Sequence, residues 1–281
     1  MTKRALPKAN VPAHPGVNTK VSEVAAKRWN PDIRAATGGN DDRTISILDA
    51  IGEDYWGDGV TAKRIAAALR AMGDGDVTVN INSPGGDFFE GLAIYNLLRE
   101  HNGSVTVNVI GMAASAASVI AMAGDNILMA RASFMMIHNT WVLTAGDRHA
   151  LREVADWLEP FDEAAISIYQ ARTGIASKAL GAMLDKETWL GGDAAVEKGF
   201  ADDLLDSDKI DSSPSNLADS GVAALKKLDL LLANGMRATK SERRELLAAA
   251  KGSKSGAAPT GMSGAAVSKW ARSALEKLQT I

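Results

Sequence analysis

The chain has 281 residues, 46% of them hydrophobic and 23% charged, enough for one large globular domain with extensions or for two modest ones. It contains no cysteine, which excludes disulfide frameworks, thiolate metal sites and cysteine nucleophiles, and its four histidines leave little for a histidine metal cluster. The net charge of −3 hides an uneven distribution: residues 1–43 carry 8 Lys/Arg against 4 Asp/Glu, residues 44–220 carry 12 against 26, and residues 221–281 carry 11 against 4. An acidic body thus lies between two basic extensions.

Four of the eight prolines fall within the first 31 residues, and the segment ends in TGGNDD. Residues 1–43 are therefore expected to form an extension rather than core. They hold no apolar run of the signal-peptide type, so a cytoplasmic location is expected. TISILDAI, from Thr44, has the pattern of a strand. In TAKRIAAALRAM, Ile65, Ala68, Leu69 and Met72 follow helical spacing, with Thr61 as N-cap. DVTVNINS alternates at Val77, Val79 and Ile81, as a half-buried strand does. A turn, SPGG, leads into a helix, FFEGLAIYNLLRE.

SVTVNVIG alternates again and runs into IGMAASAASVIAMAG, a stretch of Gly, Ala and aliphatic residues with two serines three apart. Its apolar run is shorter than the roughly 18–20 residues that span a bilayer. NILMA and ASFMMIHN are short strands, and residues 147–172 form a long amphipathic helix interrupted at Pro160. This alternation of strands and helices predicts an α/β domain over residues 44–206. SDKIDSSPSN opens a linker, residues 207–220. Residues 221–281 are expected to be a basic, helical or partner-dependent extension without a base-reading motif, so specific nucleic-acid recognition is not expected.

The strand–glycine–helix layout of SVTVNVIG and MAASAASVIAMAG has chemical meaning. A serine at such a transition sits beside the unpaired N–H groups of the first helical turn. Those donors and the helix dipole can stabilise an oxyanion. SPGG can supply a second donor, because glycine lets backbone approach a substrate closely. The competing explanation for each signal alone is structural: small serines in a packed helix, an ordinary turn, and His138 as a satisfied histidine at a strand end. Their order along the chain favours chemistry.

NINSPGGDFFEGLAIYNLL, IGMAASAASVIAMAGD, FMMIHN and ETWLGGDAAVEKGFADDLL, in that order, resemble the proteolytic subunit of the Clp protease. More narrowly they resemble its phage-encoded branch, the head-maturation (prohead) proteases. The resemblance covers residues 44–206 and neither extension. It implies a Ser-His-acid serine endopeptidase on a crotonase-like α/β fold of repeated β-β-α units with a protruding handle helix, assembled into rings or stacked rings, with no cofactor in this chain. Carried onto these residues, the nucleophile is Ser115, the general base His138, and the oxyanion donors are the N–H groups of Gly86 and Ala116. The acid position falls on Glu187, where the family has aspartate, with Asp185 as rival because both sit on one side of an extended segment. Ser118, one turn inside the helix, is assigned to packing, and His149 to the surface. The helix at 147–172 matches the handle, with Leu151, Val154, Leu158 and Phe161 as its apolar face. TAGDRHAL, just before it, resembles the strand that cradles substrate peptides.

The implied substrates and partners are capsid or scaffold proteins, with no membrane. The alternative is a housekeeping peptidase served by a separate AAA+ unfoldase, since the chain has no GxxxxGK[ST] loop. An acyl-CoA hydratase on the same fold class, and a catalytically dead assembly protein, are the other hypotheses.

Overall fold

A computed structural model of the chain describes residues 18–19, 21–31, 33–35, 43–52, 59–206 and 210–211, with isolated positions between 225 and 247. The N-terminal segment supplies strand β1 (Asn18–Thr19), helix α1 (Glu23–Arg28) and strand β2 (Arg34–Ala35). Next come β3 (Thr44–Ile47), α2 (Ala62–Met72), β4 (Val77–Ser83), α3 (Phe88–Arg99), β5 (Val105–Ala114) and α4 (Ala116–Ala121). β6 (Asn126–Ala130), β7 (Phe134–Ile137) and β8 (Val142–Leu143) lead to the long helix α5 (Arg148–Thr173). α6 (Ser177–Asp185), β9 (Thr188–Gly191), α7 (Gly192–Glu197), β10 (Asp203–Leu205) and β11 (Ile210–Asp211) follow.

Five strands pair in parallel in the order β10-β6-β5-β4-β3. β7 runs parallel to the last residues of β5, and β9 pairs antiparallel with β7. The result is a mixed α/β sheet with helices against it, the fold class expected from the alternating pattern. Val79, Ile81, Val107, Val109, Ile127 and Met129 are fully buried, each such side chain contributing about 1.5–3 kcal/mol. Thr61 caps α2 through its side chain, as the sequence suggested. Asp87 caps α3 by accepting from Phe89 N–H and Glu90 N–H.

Four expectations change. β4 is buried on both faces rather than half-buried, because parallel strands are covered on both sides. Its Asn82 side chain donates to Asn30 O at 2.7 Å and Ile33 O at 3.1 Å, while Trp29 Nε1 donates to Asn82 O at 3.0 Å. Accordingly, part of the N-terminal extension is core: Ala25 and Trp29 are fully buried against Met112, Ala114 and Met136. α5 also runs without a break through Pro160, an exposed residue. The missing N–H frees only the carbonyl of Asp156, itself exposed and open to water. Finally, Ile210–Asp211, within the expected linker, pairs antiparallel with Arg34–Ala35.

Among the described residues no helix is long and apolar enough to cross a membrane. Beyond residue 211, Asp229 pairs with Arg243 at 3.5 Å, and Leu232 and Leu247 are buried. Apart from isolated positions between 225 and 247, the expected C-terminal extension lies outside the described residues, as do residues 1–17.

Candidate active site

Ser115 stands between the end of β5 and the start of α4, with φ 55° and ψ −125°. A non-glycine residue at positive φ is strained by about 1–3 kcal/mol and persists only where its surroundings hold it. Here Ser115 N–H donates to Met136 O at 2.9 Å, and Ser115 O accepts from Ser118 N–H at 2.9 Å. Although it occupies the N-cap position, its hydroxyl makes no capping bond. The hydroxyl instead lies 2.8 Å from His138 Nε2. The β5–β7 register brings this about: Ala114 is paired with Met136, and His138 follows the end of β7.

Two glycines close the other side. Gly85 has φ 87°, and a Cβ there would lie 2.5 Å from Ala114 O and 2.7 Å from Ser115 Cβ, so this backbone lies directly against the serine. Gly86 has φ 152°, and a Cβ there would strike Ile51 O at 2.1 Å. The bridge to Ile51 uses Gly85 O and Asp87 N–H, which turns Gly86 N–H away from Ile51. Gly86, Ser115, Ala116 and His138 all line one pocket. Its walls include Phe88, Val119, Ala165 and Tyr169, an apolar recess beside the hydroxyl.

Glu187 takes φ 49°, in the turn before β9. Ile137 is paired with Thr188, the last pair of the β7–β9 ladder, so His138 and Glu187 lie just beyond the same end of it. Its Oε1 accepts the indole N–H of Trp189 at 3.1 Å. Glu187 acts on His138 by charge, raising its affinity for a proton. The rival Asp185 is exposed and accepts from Asn139 Nδ2 at 2.8 Å. Burial outweighs Glu187, so the His138 pKa lies below the ordinary histidine value. The imidazole is therefore neutral, and able to accept a proton, across neutral pH. Protonation abolishes that capacity. The acid limb of any activity that uses His138 as base is thus expected below the usual histidine range, read from a pH profile of kcat/KM.

Ser118 is fully buried; its hydroxyl donates to Ser115 O at 2.6 Å and is bonded to Tyr169 OH at 2.8 Å. Burial pushes the Tyr169 pKa up and keeps the phenol neutral. Ser118→Ala is expected to preserve reactivity at Ser115 while lowering stability by about 1–3 kcal/mol, measured by denaturant unfolding, because the buried phenol loses its partner.

α5 shares its apolar residues between core and surface. Phe161 packs edge-on against Phe89 and Trp157, with centroids 5.1 and 4.7 Å away, and Val154 is buried, whereas Leu151 is 44% exposed. His149 is exposed, as expected. TAGDRHAL is not a strand: Asp147 caps α5, and the preceding strand is Val142–Leu143, paired antiparallel with Asn18–Thr19. No pattern in the sequence marks the pocket residues Thr140 and Trp141. Trp141 Nε1 is buried and without a partner among the described residues. Nor did it signal Asp162, which accepts Thr140 N–H at 2.6 Å and whose pKa is raised by burial.

The Clp protease family model matches residues 39–208, well over half of the chain and all of the pocket. The chain belongs to the Clp protease family. The relatives include the ATP-dependent Clp protease proteolytic subunit of Deinococcus radiodurans, 28% identical over 47% of this chain and 65% of that protein. Subunit 3 of Rhodococcus jostii is 30% identical over 47% and 66%, and the Chlorokybus atmophyticus subunit 26% identical over 64% and 83%. Against the first of these relatives the chain spans a little under two-thirds of their length. Among solved structures, a ClpP1 point mutant from Listeria monocytogenes superposes with a TM-score of 0.51 at 22% identity, covering 59% of this chain and 93% of that one. The fold is thus ClpP-like.

Proposed function

We propose that this Clp-family chain is a serine endopeptidase that uses Ser115 as nucleophile, His138 as general base and Glu187 as the acid behind it. The observation that carries the reading is the 2.8 Å approach of His138 Nε2 to a serine hydroxyl held at a strained helix mouth. In the reaction, Ser115 Oγ attacks the scissile carbonyl carbon as its proton passes to His138 Nε2. The tetrahedral oxyanion is met by the N–H groups of Gly86 and Ala116, donors already fixed by the fold. His138 then returns the proton to the departing amine, leaving an acyl-enzyme on Ser115. Water, deprotonated by the same imidazole, releases the acid product. Glu187 stabilises the imidazolium in both halves.

A fluorophosphonate probe tests this. Labelling of Ser115 that disappears in Ser115→Ala and His138→Ala supports the reading; an unlabelled Ser115 in the assembled, folded protein defeats it.

The proposal extends to assembly in rings that enclose the sites, in the cytoplasm, with capsid or scaffold proteins of an assembling phage head as substrates. Support for those substrates comes from the basic flanks, most of which lie outside the family match of residues 39–208. Support for the alternative, a degradative subunit served by a separate ATP-dependent unfoldase, comes from the names of the relatives. Cleavage of purified scaffold protein without any ATPase favours the first. Hydrolysis of folded substrates only when an unfoldase and ATP are added favours the second.

A further inference from the structure

We infer that Trp189 is a positioning residue, whose indole N–H holds the Glu187 carboxylate facing His138 and which is itself steadied by the N-terminal helix α1. The inference rests on the reading of Ser115, His138 and Glu187 as a catalytic set.

The geometry is specific. Trp189 is paired with Met136 and Thr188 with Ile137, and Glu187 stands in the turn just before β9, two residues from Trp189, at φ 49°. The indole N–H reaches Glu187 Oε1 at 3.1 Å. A glutamate has one more rotatable bond than an aspartate and more freedom to lose when fixed. A single donor on a rigid ring restricts that freedom without neutralising the charge. Indole has no acceptor and does not titrate in this range, so it holds the carboxylate at every pH where the histidine changes state.

The ring is in turn fixed from both sides. Trp189 packs on the cluster of Ala25, Trp29, Met112, Ala114 and Met136. The Arg28 guanidinium lies 4.5 Å above its ring centroid, a cation–π contact. Contacts therefore run from α1 through Trp189 to Glu187, whose charge bears on His138. The charged groups around this histidine loop are Glu187 in the turn before β9, Asp185 at the end of α6, Asp162 on α5, and Arg28 beyond the indole. Asp185 is engaged by Asn139 and Asp162 by Thr140 N–H, leaving Glu187 as the charge that bears on the imidazole.

The test compares wild type, Trp189→Phe, Glu187→Gln and the double variant in peptide hydrolysis across pH. Phenylalanine keeps most of the packing and removes the donor. Trp189→Phe is expected to lower kcat roughly 10–100-fold, as losses of orienting outer partners do, with KM within about twofold. The acid limb should move to lower pH, because a carboxylate no longer held near His138 stops raising its proton affinity. Glu187→Gln should move it the same way, and the double variant should be no worse than Glu187→Gln alone. An unchanged rate and acid limb in Trp189→Phe, with both altered in Glu187→Gln, overturns the positioning role and leaves the catalytic set intact. An unchanged profile in Glu187→Gln sinks the underlying assignment of the acid instead. A second measurement does not require Trp189 to be replaced. The indole N–H resonance of Trp189 in isotope-labelled protein should shift upfield in Glu187→Ala, which removes the acceptor, and a resonance that stays put rules the bond out.

Discussion

Ser115→Ala is expected to reduce kcat for peptide hydrolysis by roughly ten-thousand- to million-fold, the scale seen when the nucleophile of a triad is removed. The fold should survive. Alanine retains the Cβ, so the strained backbone at φ 55° and its anchor to Met136 O are unaltered, and the hydroxyl makes no capping bond that α4 would miss. What is lost is the reacting oxygen and the partner of His138 Nε2. Thermal melting within a few degrees of wild type, with hydrolysis and probe labelling gone, is the expected pair of results. Unaltered hydrolysis with Ser115→Ala would refute the assignment of the nucleophile.

Gly85→Ala is expected to be the most disruptive single-methyl change near the site. The added Cβ would meet Ala114 O at 2.5 Å and Ser115 Cβ at 2.7 Å, both part of the β5–α4 junction and neither able to rotate away. The residue must also keep φ 87°, which costs an L-amino acid about 1–2 kcal/mol before any clash. Overpacking adds roughly 1–3 kcal/mol. The loop can relieve the clash only by moving away from Ser115, which takes Gly86 N–H away from Ala116 N–H. A loss of about 3 kcal/mol of stability and a 100- to 1,000-fold loss in kcat are therefore expected together. Gly73→Ala is the control. Its φ is 65° but nothing lies within 4 Å of the new methyl, so denaturant unfolding should show only the backbone cost and peptide hydrolysis should be unchanged.

Much of this was legible in the sequence, for a physical reason. The apolar alternation of β4 and β5 marks both as strands, although β4 is buried on both faces, and Thr61 with the helix spacing after it marks α2. The different fates of Ser115 and Ser118 follow from position alone: a serine at the helix mouth meets free N–H groups, whereas one a turn later meets a carbonyl. Other features depended on contacts between distant segments. Nothing in the pattern of residues 21–31 shows that Trp29 will lie under Met112 and Met136, since local composition there is that of a loop. The apolar face of α5 was visible, but periodicity does not say what covers each residue, and the structure divides it between Phe89 and solvent. The proposal of Glu187 over Asp185 rests on contacts that the sequence does not display: Glu187 bears on His138 by charge, whereas Asp185 is engaged by Asn139. A proline on the exposed side of a long helix looked like a break because sequence does not reveal which carbonyl it leaves to water.

The seat of Trp29 has a consequence for where this molecule begins as a physical object. Family likeness starts at residue 39, yet the side chains that shield the back of Met112, Ala114 and Met136 come from Ala25 and Trp29. The boundary of the family match and the boundary of the packed core are therefore different positions on the chain. Shortening it to the recognisable part would keep Ser115, His138 and Glu187 and strip the apolar cover from Met112, Ala114 and Met136.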